Sequence, residues 1–68
     1  MNDWLQRVAA ESGLDAHLSE EDADALLKIA RLAAHTSDDR RNAPLLTYLV
    51  GRSNQSPQKI LEDLQRIS

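Results

Sequence analysis

Apolar residues recur along this chain at helical spacing in four separate segments. In the first segment, the apolar positions that share one helix face are Trp4, Leu5, Val8 and Ala9. Asn2 or Asp3 is a suitable N-cap, and Gly13 adopts at no steric cost the left-handed conformation that ends many helices. The pattern predicts a first helix over about residues 3–12, with Trp4 in the core.

The second segment begins with an N-terminal helix signature. Ser19 can cap the helix, and three acidic residues follow it in the first turn, where the helix dipole favours negative charge. The pattern predicts a helix over about residues 20–35 with Leu27 in the core, and we expect Leu27→Ala to destabilise the protein by about 2 to 5 kcal/mol. Leu14 and Leu18, in the preceding connector, are expected to pack beneath the helices. The inward stripe is Ala23, Leu26, Leu27, Ala30, Ala33 and Ala34, widened by Ile29 and Leu32.

The third segment is short and almost wholly apolar. Residues 36–42 lack helical or strand periodicity and are expected to form an exposed loop. Asn42 can cap the next helix, Pro44 fits its first turn, and Gly51 is expected to close it. The pattern predicts a mostly buried helix over about residues 43–50.

The fourth segment is a one-sided amphipathic helix. Ser56 and Pro57 supply an N-cap and a first helical residue, which predicts a helix over about residues 57–67. Its apolar positions are Ile60, Leu61, Leu64 and Ile67. No segment alternates polar with β-branched residues. We therefore expect an all-α fold, a compact bundle of four short helices that forms a single domain over residues 1–68.

Length and composition exclude several classes of protein. With 68 residues, the chain is too short for two cores. It contains no cysteine, which excludes disulfides, thiolate metal sites and a cysteine nucleophile. The N-terminus does not resemble a signal peptide, and the apolar runs are too short to span a membrane. We expect a cytoplasmic protein, with homo-oligomerisation as one way of adding stability.

Charge is distributed unevenly. Residues 1–39 carry nine acidic and three basic side chains, whereas residues 40–68 carry two acidic and five basic ones. A helix-turn-helix would need a basic recognition helix, but the fourth helix offers Lys59 and Arg66 offset by two acids. Nucleic-acid binding is therefore disfavoured.

One group of cationic side chains is a candidate ligand or partner site. It comprises Arg31, His35, Arg40 and Arg41. His35 ends the second helix, where the dipole favours a charged imidazole, and the N–H groups that begin the third helix could help to hold a phosphate or carboxylate. The alternative is that His35 only caps its helix while the arginines pair with Asp38 and Asp39.

Tyr48 is the fifth candidate site residue. It and Trp4 are the only aromatic residues, and aromatic side chains often anchor interfaces. Trp4 shares the stripe of Leu5 and Val8, so the core is the favoured place for it. The Tyr48 hydroxyl is expected to reach solvent or His35.

No pattern of catalytic or metal-binding residues is present in the sequence. The acids that follow Ser19 point in different directions and have no histidine at i+3 or i+4, so the helix dipole explains them adequately. His17 is isolated, and no serine lies in a nucleophile-elbow pattern. We expect no enzyme activity and no cofactor.

One set of positions spread over most of the chain forms a distinctive pattern: Trp4-Leu5, Val8-Ala9, Leu26-Leu27, Ala30-Arg31, Ala34-His35, Ala43-Pro44-Leu45, Thr47-Tyr48-Leu49 and Gly51. In this pattern the chain resembles a small uncharacterised actinobacterial family of helical domains. Members of that family occur alone or fused to molybdenum cofactor guanylyltransferase or formate dehydrogenase accessory proteins. The resemblance implies a link to molybdoenzyme maturation, and it implies no catalytic residues. Thr36 stands where the family pattern has glycine.

These observations predict a non-catalytic interaction or accessory module. Its partner is an unknown protein, for which the resemblance implies a molybdenum cofactor pathway protein. The alternative is a binder of small anionic ligands that uses the cluster of Arg31, His35, Arg40 and Arg41.

Overall fold

A computed structural model of the chain describes residues 2–15 and 17–67. Those residues form four α-helices and no strand, which confirms the all-α prediction. The helices are α1 (Asp3–Ser12), α2 (Glu20–Ser37), α3 (Asn42–Arg52) and α4 (Pro57–Ile67).

The ends of α1 follow the sequence prediction. The Asn2 side chain accepts a hydrogen bond from the Leu5 N–H at 2.9 Å, so Asn2 is the N-cap. Gly13 has φ 68° and donates its N–H to the Ala9 carbonyl. A side chain at this left-handed position would be strained, which accounts for glycine there.

The second helix begins as predicted and ends later. Ser19 Oγ accepts the Asp22 N–H at 3.1 Å and caps the helix. The helix then continues through Thr36 and Ser37, so the prediction of a loop at those positions is wrong. Asp38 takes the left-handed conformation, with φ 55°, and its N–H reaches two carbonyls of the last turn. Aspartate tolerates the left-handed conformation better than most residues, so Asp38 can occupy the helix-ending position that glycine usually takes.

Both predicted ends of α3 are corrected by the structure. Asn42 is the first helical residue and not the cap; Arg41 precedes it and makes no side-chain capping bond. At the other end the helix passes through Gly51 and stops after Arg52, where the Ser53 N–H reaches the Leu49 and Val50 carbonyls. Gly51 therefore does not end the helix; the Ser53 backbone N–H provides these terminal hydrogen bonds, and its hydroxyl also donates to the Val50 carbonyl at 2.8 Å.

The N-terminal end of α4 is as predicted. Ser56 Oγ accepts the Lys59 N–H at 3.2 Å. Pro57 then occupies the first helical position, where its missing N–H costs no hydrogen bond.

The core lies where α2 packs against α3 and α4. Ile29 is fully buried at its centre, and it is accompanied by Ala25, Ala33 and Val50. Leu27 is 66% exposed, so the prediction that it lies in the core is wrong. The buried face of α2 follows the i, i+4 positions 25, 29 and 33. In a helix this rich in alanine, several faces are apolar enough to be buried, and tertiary packing selects one of them.

The first helix is peripheral. It makes no more than a marginal contact with α2, α3 or α4. Trp4 is 66% exposed and Leu14 is 62% exposed, so both predictions of burial are wrong, whereas Leu18 is half-buried. The chain measures 36 × 22 × 18 Å and has a radius of gyration of 12.5 Å, against about 11 Å expected for a sphere-like domain of this length.

Candidate functional site

The structure brings two of the predicted site residues together. His35 and Arg40 line one shallow pocket of about 350 Å³ beside the turn between α2 and α3. Arg31 is exposed one turn earlier on α2 and does not line this pocket. Two carboxylates, those of Asp38 and Asp39, share the pocket wall. An anion placed there would meet negative as well as positive charge.

The Arg41 side chain is already occupied by a carboxylate. Its Nε lies 3.0 Å from Asp39 Oδ1, and its terminal nitrogen lies 2.8 Å from Asp39 Oδ2. Asp39 Oδ1 also accepts the Arg41 backbone N–H at 3.0 Å. These hydrogen bonds lower the pKa of Asp39. The contact is the arginine–aspartate pairing of the alternative interpretation, and it leaves Arg41 less available to an external anion.

Anion binding by this cluster stays a prediction. A chemical-shift titration of His35 with phosphate would test it: a saturable shift would support the site, and an unchanged resonance would argue against it.

Tyr48 lies in a different environment from His35. The Arg52 guanidinium sits over the Tyr48 ring, 5.5 Å from its centroid, in a cation–π contact. The ring is 64% exposed. Within the described part of the chain, no hydrogen bond joins Tyr48 to His35. Tyr48 belongs to the outer face of α3 and is separate from the cationic cluster.

An apolar groove runs between the C-terminal half of α2, α3 and α4. Its volume is about 350 Å³, and its wall is mainly hydrocarbon. Leu45 and Leu49 on its rim are 61% and 56% exposed. We call this feature the apolar groove; it is lined by Ala33, Thr36, Ser37, Asn42, Leu45, Leu46, Leu49 and Leu64.

The outer face of α3 extends this groove. Leu45, Tyr48, Leu49 and Arg52 are spaced i, i+3, i+4 and i+7, so they form one stripe along the helix. We call these four residues the α3 stripe. The prediction that α3 is mostly buried is wrong: among its residues only Val50 is buried. A helix that is apolar nearly all round cannot bury every face against two neighbours, and this feature of the sequence indicates a surface patch.

A second apolar surface lies on α1. Beside Arg7, which lines the same open depression of about 500 Å³, the residues Trp4, Val8 and Glu11 are spaced i, i+4 and i+7 along one face of the helix. We call these three residues the α1 ridge. Val8 is 36% exposed, and Glu11 makes no ion pair with any residue that the structure describes. α1 scarcely contacts the other helices, so Trp4 stays 66% exposed, although Val8 is only partly exposed and the neighbouring Ala9 is buried.

The basic residues of α4 are held by an acid. Lys59 Nζ lies 2.9 Å from Asp63, and Arg66 also pairs with Asp63. Both bonds lower the pKa of Asp63. A DNA-binding helix needs such cations free for phosphates, so this arrangement does not favour nucleic-acid recognition.

The described residues contain neither a metal-binding cluster nor a membrane-spanning helix. They contain no group of three histidine, aspartate or glutamate side chains close enough to hold a metal ion. Across residues 2–15 and 17–67, no helix has both the length and the apolar character needed to cross a bilayer.

Comparison with known proteins identifies a family and no characterised relative. Residues 1–67 match a family whose description is "Domain of unknown function (DUF6457)". No curated protein matches the chain. No solved structure matches it either.

Proposed function

We propose that this chain, which belongs to the DUF6457 family of unknown function, is a non-catalytic module that binds another polypeptide through its uncovered apolar surfaces. One observation supports this most directly. Nine large apolar side chains of the described residues are at least 36% exposed, whereas Ile29 and Val50 are the large ones that are buried. A single exposed leucine is ordinary, but contiguous apolar patches usually mark interaction sites.

The apolar groove has a shape that suits an amphipathic helix. It is bounded by helices on both sides, and the exposed leucines of α3 can contact i, i+3, i+4 and i+7 anchors of an incoming helix. Leu45 and Leu49 expose apolar surface, and removing such surface from water on binding lowers the free energy by about 25 cal/mol per Å². The entropic cost of ordering Leu45 and Leu49 on binding is small, because both side chains already lie on a formed helix.

The physiological setting is a further part of the proposal. The family resemblance suggests a partner in molybdoenzyme maturation, and a cytoplasmic location is consistent with that pathway. The exposed apolar surface supports a protein partner of some kind, and the resemblance alone suggests the pathway. No catalytic role is proposed, because the surface features that distinguish this chain are apolar patches and exposed ion pairs.

A methyl NMR titration tests the proposed function. The probe is a designed amphipathic peptide with leucines at helical spacing, added to isotope-labelled protein. We expect saturable shifts of the Leu45, Leu49 and Leu64 methyl groups and an unchanged Leu27 methyl, since Leu27 is exposed outside the groove. Equal shifts at Leu27 would indicate nonspecific adhesion, and unmoved groove methyls at about millimolar peptide would refute the proposal.

Two matched variants complete that test. Leu49→Glu places a charge on the rim of the apolar groove and should abolish the shifts. Leu27→Glu makes the same chemical change at a side chain of similar exposure, 66% against 56%, and should leave them intact. A peptide that binds both variants equally would not be using the groove.

A further inference from the structure

We propose that the polypeptide bound by the apolar groove is a second copy of this chain, whose α1 ridge lies along the α3 stripe. This inference rests on the proposed function and names its partner. The exchange is reciprocal, so that each copy supplies one ridge and one groove to a symmetric dimer. An isologous contact of this kind closes on itself and does not extend into a fibre.

The two surfaces match position by position. The α1 ridge presents Trp4, Val8 and Glu11 at i, i+4 and i+7. The α3 stripe presents Leu45, Leu49 and Arg52 at the same spacing. With the two helices parallel, Trp4 meets the partner's Leu45, Val8 meets the partner's Leu49, and Glu11 meets the partner's Arg52. Two apolar contacts and one ion pair therefore fall into a single register.

Charge favours the same orientation. Glu11 has no ion-pair partner among the described residues, and Arg52 contacts the Tyr48 ring but no carboxylate. The Glu11–Arg52 pair therefore gives the interface one charge-complementary contact.

The contact must reach the size of a specific dimer interface. A standard interface buries roughly 800 Å² on each partner, which is about one seventh of the 5511 Å² surface of this chain. The exchange covers Trp4, Leu45 and Leu49, which are among the most exposed large apolar residues. Trp4 is also the kind of side chain that anchors interfaces. Within one copy α1 makes at most a marginal contact with α3, so the ridge is free to be donated.

The single tryptophan provides a direct readout. Trp4 is solvent-exposed in one copy and becomes covered in the dimer, so its emission should shift to the blue as the protein concentration rises. Sedimentation equilibrium on the same samples should show the mass rising from 7.6 kDa to twice that value. Leu49→Glu should raise the dimer dissociation constant at least about tenfold, and Leu27→Glu should leave it unchanged.

A charge exchange tests the register while Trp4, Val8, Leu45 and Leu49 stay in place. Glu11→Arg and Arg52→Glu should each weaken the dimer, and the double variant should regain most of the lost affinity. Circular dichroism confirms that each variant remains helical. Association without this rescue would show that copies pair through another surface, and the proposed α1–α3 contact would be wrong.

The oligomeric state and the peptide titration together distinguish the second-copy proposal from the proposed function on which it rests. A chain that stays at 7.6 kDa, with Trp4 emission independent of concentration, overturns the second copy as the partner. If the designed helical peptide still shifts the groove leucines, the groove then binds a different protein. If the peptide fails as well, both the inference and the proposed function fall.

Discussion

The helices α1 and α2 have the same kinds of capping residue at both ends, but they differ in how much they pack against the rest of the chain. Each begins with a side chain that caps the N-terminus and ends with a residue in the left-handed conformation. Yet α2 packs against two neighbours around the fully buried Ile29, while α1 makes only a marginal contact and leaves Trp4 exposed. Capping specifies where a helix begins and ends, and it does not specify what the helix packs against.

The difference has a consequence for stability. Helices shorter than about 12 residues are marginal in water without tertiary contacts, and α1 has 10 residues. We therefore expect α2, α3 and α4 to unfold as one cooperative unit and α1 to open on its own. Substitutions of the same kind should then have different effects in the two regions.

The largest effect is expected at the centre of the packed unit. Ile29→Ala removes the fully buried large side chain and should lower the free energy of unfolding by about 2 to 5 kcal/mol. Leu27→Ala, two residues earlier on the exposed face, should change it by no more than about 0.5 kcal/mol. Urea denaturation followed by circular dichroism measures both. Equal losses would mean that the buried face of α2 is assigned wrongly.

A smaller effect separates the two N-caps. Ser19→Ala removes the α2 cap and should destabilise the packed unit by about 1 kcal/mol. Asn2→Ala removes the equivalent α1 cap and should reduce helicity in α1 alone, with the main unfolding transition unchanged. Thermal melting followed by NMR signals of α2 and α1 distinguishes the two. If Asn2→Ala lowers the main transition as much as Ser19→Ala does, the two regions unfold together.

The smallest effect concerns the loop between α2 and α3. The hydrogen bonds from Arg41 lower the pKa of Asp39 in the folded protein. The folded state therefore holds its proton less tightly, and the pair stabilises the fold above about pH 4, where an unfolded aspartate is ionised. That contribution is lost as the pH falls through the lowered folded-state pKa.

This pH dependence is measured by comparing variants. The urea midpoint of wild type should exceed that of Asp39→Asn slightly at pH 6, and the two should converge near pH 2. Asp24→Asn, which removes an exposed carboxylate of α2, serves as the control for general charge. A difference between wild type and Asp39→Asn that grows on acidification would contradict the pairing.

Local structure was largely predictable from the sequence, because it depends on neighbouring residues. Ser19 and Ser56 were predicted to begin helices and Gly13 to end one, and all three do so. The predicted helix ends were wrong where a residue other than the expected one ends the helix. Asp38 ends α2 without a glycine, and Gly51 is carried inside α3.

Burial and the candidate site were less predictable, because they depend on which faces find partners. The apolar pattern predicted burial for Trp4 and Leu27 as well as for Ile29, but of these three residues only Ile29 is buried. The cationic cluster was predicted from residues that are close in sequence. In the fold, Arg41 forms an ion pair with Asp39, and the Tyr48 ring contacts Arg52. The apolar groove joins three helices, so no local pattern indicated it.

Amide hydrogen exchange, measured residue by residue at several protein concentrations, tests the central claim that α1 finds its partner outside its own chain. At low concentration we expect Val8 to exchange with little protection while Ile29 exchanges at the rate of global unfolding. Protection of Val8 should rise with concentration as copies associate. Protection of Val8 equal to that of Ile29 at every concentration would contradict the account.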